Sequence, residues 1–170
     1  RWVITAHAFV TGGKPSETER DLCVGTVQTV AATIFDGADY VALGHLHRCQ
    51  TAGRPSITYS GSPLAYGFDE VGSEKSVSIV DLGIKGECEI THIPLSPLHA
   101  VREVKGLFAD LLLQAEQKPS EDYIKAVLTD EGELVDPMGQ LRTFYPNVLQ
   151  IEREKKRDLV QTGSGRAQAK

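Results

Sequence analysis

The sequence predicts an α/β protein: a first part built mostly of strands, followed by a small α+β module in the order β-α-β-α-β. Three observations carry this reading. Short apolar runs rich in β-branched residues recur through the first 94 residues, several of them bounded by glycine or proline. Ser76–Leu82 and Glu87–Pro94 alternate apolar and polar residues on either side of a Gly83–Gly86 turn, the pattern of a β-hairpin. Beyond Leu95–His99 the composition shifts, and strand-like and helix-like segments alternate.

Arg1–Val10 (RWVITAHAFV) reads as a strand with His7 near its end. Thr11–Asp21 (TGGKPSETERD) is polar and holds Gly and Pro, so it is a loop. Leu22–Thr29 is a short strand or a bend around Gly25, and Val30–Phe35 resumes an apolar run that Asp36-Gly37 ends in a turn. Tyr40–Leu43 is a buried-type strand, stopped by Gly44 and followed by His45 and His47. Residues two apart on an extended segment face the same way, and imidazole is the commonest metal ligand near neutral pH. Gly-His-x-His after a strand therefore reads either as a pair of metal ligands at a sheet edge or as a plain polar loop.

The chain returns through Gly53 and Pro55 to a strand at Ile57–Ser60, then enters Gly61–Glu70 (GSPLAYGFDE). Tyr66 and Phe68 there either pack, stack on bases or line a substrate cleft. His92 is expected to be an ordinary strand residue and His99 to lie in a Pro-flanked linker, neither as a metal ligand. In the second part, Ala100–Lys105, Tyr123–Thr129 and Asn147–Glu152 are strands. Leu107–Gln117 has helical spacing ended by Pro119, and Pro137–Tyr145 is a short helix with Asp136 as N-cap. From Arg153 onward the chain is polar and charged, and a disordered tail or linker is expected.

The 170 residues suffice for one domain or one plus an appendage. Cys23, Cys49 and Cys88 are an odd number without a CxxC pair, which fits free thiols and a cytoplasmic location. The net charge of −5 excludes a whole-surface nucleic-acid binder, so any DNA contact would be local. No apolar run approaches the roughly 20 residues of a membrane span. The chain opens on Arg-Trp-Val-Ile, without Met, and is expected to be a piece of a longer polypeptide.

Taken together, His7 at a strand end, ADYVALGHLHRCQ, YSGSPLAYGFDE and the module that follows resemble the SbcD DNA-repair nuclease subunit family of calcineurin-like metallophosphoesterases. The resemblance implies the second half of a four-layer α/β/β/α core over residues 1–96, a capping domain over 97–154 and a tail over 155–170. It implies two manganese ions in the intact protein, with His7 and His45 on one and His47 on the other, and allows that these residues by themselves bind none. Two such metals, about 3.5–4 Å apart, clamp a scissile phosphate and activate a water. It further implies exonuclease and endonuclease action on DNA ends and hairpins, an SbcC ATPase partner, homodimerisation and no membrane association. Lys14, Arg20, Lys105, Lys118, Lys125 and Arg142 are available to DNA backbone. The family's Asp-x-His, Gly-Asp-x-x-Asp and Gly-Asn-His-Asp motifs are absent from these residues, and with them the histidine that protonates the leaving group. The expectation is thus a carboxy-terminal part that does not cut DNA by itself. Two alternatives remain open: a non-catalytic DNA- or partner-binding assembly module, and a small-molecule metallophosphodiesterase.

Overall fold

The structure is a computed structural model that describes residues 1–17, 19 and 29–154. The expected strand or bend at Leu22–Thr29 falls almost wholly outside them, as do Arg20, Cys23 and the 155–170 tail.

The first sheet has four strands in the order β1-β2-β4-β3. They are β1 (Val3–His7), β2 (Tyr40–Gly44), β3 (Gln50–Ala52) and β4 (Arg54–Tyr59). β1, β2 and β4 run parallel, and β3 pairs antiparallel with β4 at the edge. β2 is the apolar run YVALG, and its central position explains why Tyr40, Val41 and Leu43 are all buried. Val41, Leu43, Ile57 and Tyr59 gather with Val10, Phe35, Ala38, Leu46 and Ala52 into one hydrophobic cluster. Tyr59 ties the chain beyond β1 to this core: its hydroxyl donates to the Ala8 carbonyl at 2.8 Å and accepts from the Val10 N–H at 2.8 Å. Burial holds its phenol above the usual pKa of 10.0, partly offset by the Val10 hydrogen bond.

The expected hairpin is present as β5 (Ser76–Leu82) and β6 (Cys88–Pro94), in continuous antiparallel register from Ser76↔Pro94 to Leu82↔Cys88.

The second part comprises β7 (Val101–Gly106), α1 (Phe108–Gln117), β8 (Tyr123–Leu128), α2 (Pro137–Arg142) and β9 (Val148–Arg153). The expected β-α-β-α-β order is present; its sheet is parallel throughout, in the order β7-β8-β9, so the α+β module is wound as consecutive βαβ units. Ile124, Ala126 and Leu128 alternate along β8 on one face. They are buried in a second hydrophobic cluster with Phe108, Leu111 and Ala115 of α1 and Leu141 of α2. Asp136 caps α2 as expected, accepting the Gly139 N–H at 3.0 Å.

Asp122 fastens the start of this sheet. Burial works against its ionisation, but hydrogen bonds from the Ala100 N–H, Ser120 and Arg102 outweigh that and hold its carboxyl below the usual range. The Ala100 and Arg102 bonds measure 2.8 and 2.7 Å. A carboxyl with a depressed folded pKa stabilises above its unfolded pKa of about 3.9, and that contribution is lost as pH falls through the folded value. The Asp122→Asn variant is therefore expected to lose stability at pH 7 but to show a shallower acid limb, measured as urea midpoints between pH 7 and pH 2.

Candidate metal centre

Three parallel strands deliver three segments to one edge of the first sheet. β1 ends on His7, β2 ends on Gly44 ahead of His45-Leu46-His47, and β4 ends on Tyr59 ahead of Ser60-Gly61-Ser62. The carboxyl ends of parallel strands are where open α/β sheets place their sites.

His7 pairs in register with Gly44, which brings its ring against the ring of His45. The two imidazole centroids lie 5.3 Å apart at an interplanar angle of 65°. Phe9 flanks His45 at 6.1 Å. Gly44 is what makes room: a Cβ at that position would lie 3.0 Å from His7 Nδ1. His45 itself has φ of 110°, a backbone conformation that L-residues adopt at a cost of about 1–3 kcal/mol. Strain of this kind persists where surrounding structure over-determines it, and it concentrates at functional sites.

His47 is held from several directions. Its N–H donates to the Glu19 carboxylate. Its carbonyl accepts the Ser62 N–H at 3.0 Å and Lys75 Nζ at 3.0 Å. Its Nδ1 lies 2.9 Å from Glu70 Oε1, and its ring packs 5.2 Å from that of Tyr66. Tyr66 is 61% exposed, so this aromatic of the GSPLAYGFDE stretch faces solvent beside the histidine rather than filling the core.

The donor set can be judged on these contacts. His47, with Nδ1 against a carboxylate, has the kind of second partner that ligating histidines have, and His7 and His45 bring two further imidazoles side by side. They fit a metal as part of a donor set. Among the described residues no cluster of three His, Cys, Asp or Glu side chains converges on one point. A complete metal site would draw its remaining donors from outside the described residues.

The basic residues named from the sequence do not form one patch. Lys105 and Lys125 share the open face of the module's sheet, opposite the buried Ile124, Ala126 and Leu128. Each is ion-paired there. Lys105 Nζ lies 2.5 Å from Glu154, and Lys125 Nζ lies 3.1 Å from Glu152 and 3.3 Å from Glu103. The hydrogen bond to Glu152 is the largest of the effects that raise the Lys125 pKa. Arg142 sits on α2 and donates to the Val148 carbonyl at 3.0 Å, a tie between α2 and β9. Lys14 is exposed in the loop after β1, where its own backbone is clasped by the Gln50 amide at 2.8 and 2.9 Å. Lys118 is exposed at the end of α1.

Sequence reasoning missed Glu19, Ser62, Glu70 and Lys75 as partners of His47. It also missed the contact of His92 with Ser78 Oγ at 3.1 Å and with Cys49 Sγ at 3.6 Å. His99 lies 3.7 Å from Glu121. No helix among the described residues is long and apolar enough to cross a membrane.

Replacing Gly44 with Ala is expected to rotate the His7 ring away from His45 with little loss of stability. Histidine side-chain NMR would show it as a selective shift of the His7 and His45 imidazole signals, with those of His92 and His99 unmoved.

Residues 97–170 match the SbcD C-terminal family, described as the type 5 capsule protein repressor C-terminal domain. Over 150 residues, 88% of its length, the chain is 35% identical to the SbcD subunit of the nuclease SbcCD from Staphylococcus epidermidis (strain ATCC 12228 / FDA PCI 1200). The chain spans 40% of the length of that relative. With both similarities on one chain, and with the first reaching through the module built on β7–β9, the chain belongs to the SbcD family and corresponds to the carboxy-terminal part of its members.

Proposed function

We propose that these residues form the distal part of a metal-dependent DNA nuclease acting on double-strand ends and hairpins, and that by themselves they do not cut DNA. The observation that carries the reading is the His7–His45 pair on the edge of the parallel strands, within a chain similar to a nuclease subunit. Residues 1–96 contribute part of the nuclease domain, 97–154 form a capping domain and 155–170 a tail or linker. His7 and His45 hold one manganese ion and His47 the other, with the bridging and leaving-group residues supplied by the rest of a longer protein. Metal ions so held supply a Lewis acid and an activated water for phosphodiester hydrolysis.

The relative is named as one component of a nuclease called SbcCD, which supports an SbcC-type ATPase as partner. We place the protein in the cytoplasm, as a homodimer. For DNA backbone, Lys14 is the best placed of the named cations, because it is exposed beside the histidine edge. Arg20 belongs to the same loop in sequence. Lys105 and Lys125 would have to exchange carboxylate partners for phosphate, and Arg142 its carbonyl.

The test compares hairpin DNA and a small chromogenic phosphodiester as substrates with Mn²⁺. The expected result is no turnover of either by the 170-residue chain. In a full-length protein that carries these residues, hairpin cleavage is expected to fall at least 100-fold on His7→Ala or His45→Ala. Cleavage by the chain alone, abolished by EDTA, would overturn the inactivity. Full-length cleavage indifferent to both histidines would overturn the nuclease reading. Turnover confined to the small diester would point to a small-molecule phosphodiesterase instead.

A further inference from the structure

Glu70 and Lys75 are the most buried carboxylate and ammonium of the described residues, and both face His47. The Glu70 side chain has no exposed surface and that of Lys75 is 8% exposed. Their charged groups lie 2.5 Å apart, Lys75 Nζ against Glu70 Oε2. The ammonium has three protons and three acceptors: Glu70 Oε2, Ser62 Oγ at 3.0 Å and the His47 carbonyl at 3.0 Å. The other Glu70 oxygen, Oε1, meets His47 Nδ1 at 2.9 Å, with Ser16 Oγ at 3.5 Å. One ion pair thus grips both the main chain and the side chain of a single histidine.

A buried ion pair is a poor source of stability. Desolvation offsets most of its attraction, and replacing both partners with apolar residues of similar size is often neutral. Its geometry here does more than neutralise charge. A carboxylate facing an ammonium is an acceptor, so this contact favours the ring tautomer with its proton on Nδ1. In the neutral ring that leaves Nε2 as the atom with the lone pair. Carboxylates play this part behind metal-bound histidines, fixing tautomer and ring orientation and raising ligand basicity.

We propose that Glu70 is a positioning residue for His47, holding it as the Nδ1–H tautomer with Nε2 as the ligating atom, and that Lys75 orients Glu70 and anchors the His47 carbonyl. The proposal deepens the metal-centre reading of His47 and rests on it only for the ligating role. The tautomer is a property of the chain without metal.

The experiment reads the two separately. Long-range ¹H–¹⁵N correlation of the histidine rings in the metal-free 170-residue chain should show His47 protonated on Nδ1. Because Glu70→Ala alone strands a buried ammonium, the informative variant is the double substitution Glu70→Ala with Lys75→Met. It should keep the amide spectrum of β1–β4 and turn His47 into a tautomer mixture. Glu70→Gln with Lys75→Met, whose amide oxygen still offers an acceptor without leaving a buried ammonium, should restore the Nδ1–H form. Titration with Mn²⁺ alone should show affinity weakened about 10–100-fold in the double variant. A His47 that stays in one tautomer in the folded double variant overturns the positioning role. Mn²⁺ affinity indifferent to His47→Ala overturns the ligand reading, while the metal-free spectra still decide the role of Glu70.

Discussion

Gly61→Ala is expected to destabilise the first sheet by about 2–5 kcal/mol and to disorder the histidine edge with it. Two costs add. Gly61 has φ of +82°, which a residue with a Cβ adopts at about 1–2 kcal/mol. That Cβ would also lie 2.9 Å from both the His47 carbonyl oxygen and the Cys49 nitrogen, backbone atoms with no side-chain freedom to yield. Overpacking of this kind costs about 1–3 kcal/mol. The same close approach places the Ser62 N–H under the His47 carbonyl, so the Gly-His-x-His and GSPLAYGFDE stretches act as one unit. Urea unfolding of the variant measures the stability loss, and the His47 imidazole signals report the displaced edge. A variant as stable as the parent would mean that the 60–62 turn does not pack on residues 47–49.

Ile124→Ala is expected to cost about 2–5 kcal/mol, with the effect confined to the β7–β9 module. Ile124 is fully buried at the centre of the second hydrophobic cluster, and that cluster shares no residue with the first. Hydrogen exchange should show protection lost across β7, β8 and β9 and retained in β1, β2 and β4. Loss of protection in both sheets together would contradict the proposed division near residue 96.

Much of this arrangement is legible from local pattern. Tyr40–Gly44 is an apolar run closed by a glycine, and it is β2 with His45 just beyond its end. The alternation of Ser76–Leu82 gives β5, and helical spacing gives α1 to within a residue. The strand β3 is not legible, because Gln50–Ala52 is short and polar and exists only through its pairing with β4. Likewise β4 begins at Arg54 rather than Ile57. Arg54 is pinned by hydrogen bonds to the Phe35 and Ala38 carbonyls, and Pro55 precedes the first ladder position shared with β2. At the site, His7 and His45 could be singled out because each stands at a strand end. The grip on His47 could not, since Glu70 and Lys75 lie 23 and 28 residues away and reach it through the turn after β4. The ion pairs of Lys105 and Lys125 escape notice for the same reason: parallel register, not sequence neighbourhood, brings Glu103 and Glu152 beside Lys125.

The most direct test of the central claim, that this strand edge is part of a metal centre, is Mn²⁺ titration of the chain followed by paramagnetic broadening of its five histidine side chains. The account predicts that the His7 and His45 ring signals broaden first and together, with those of His92 and His99 unaffected. Broadening that begins at His92 or His99, with His7 and His45 still sharp, would contradict it.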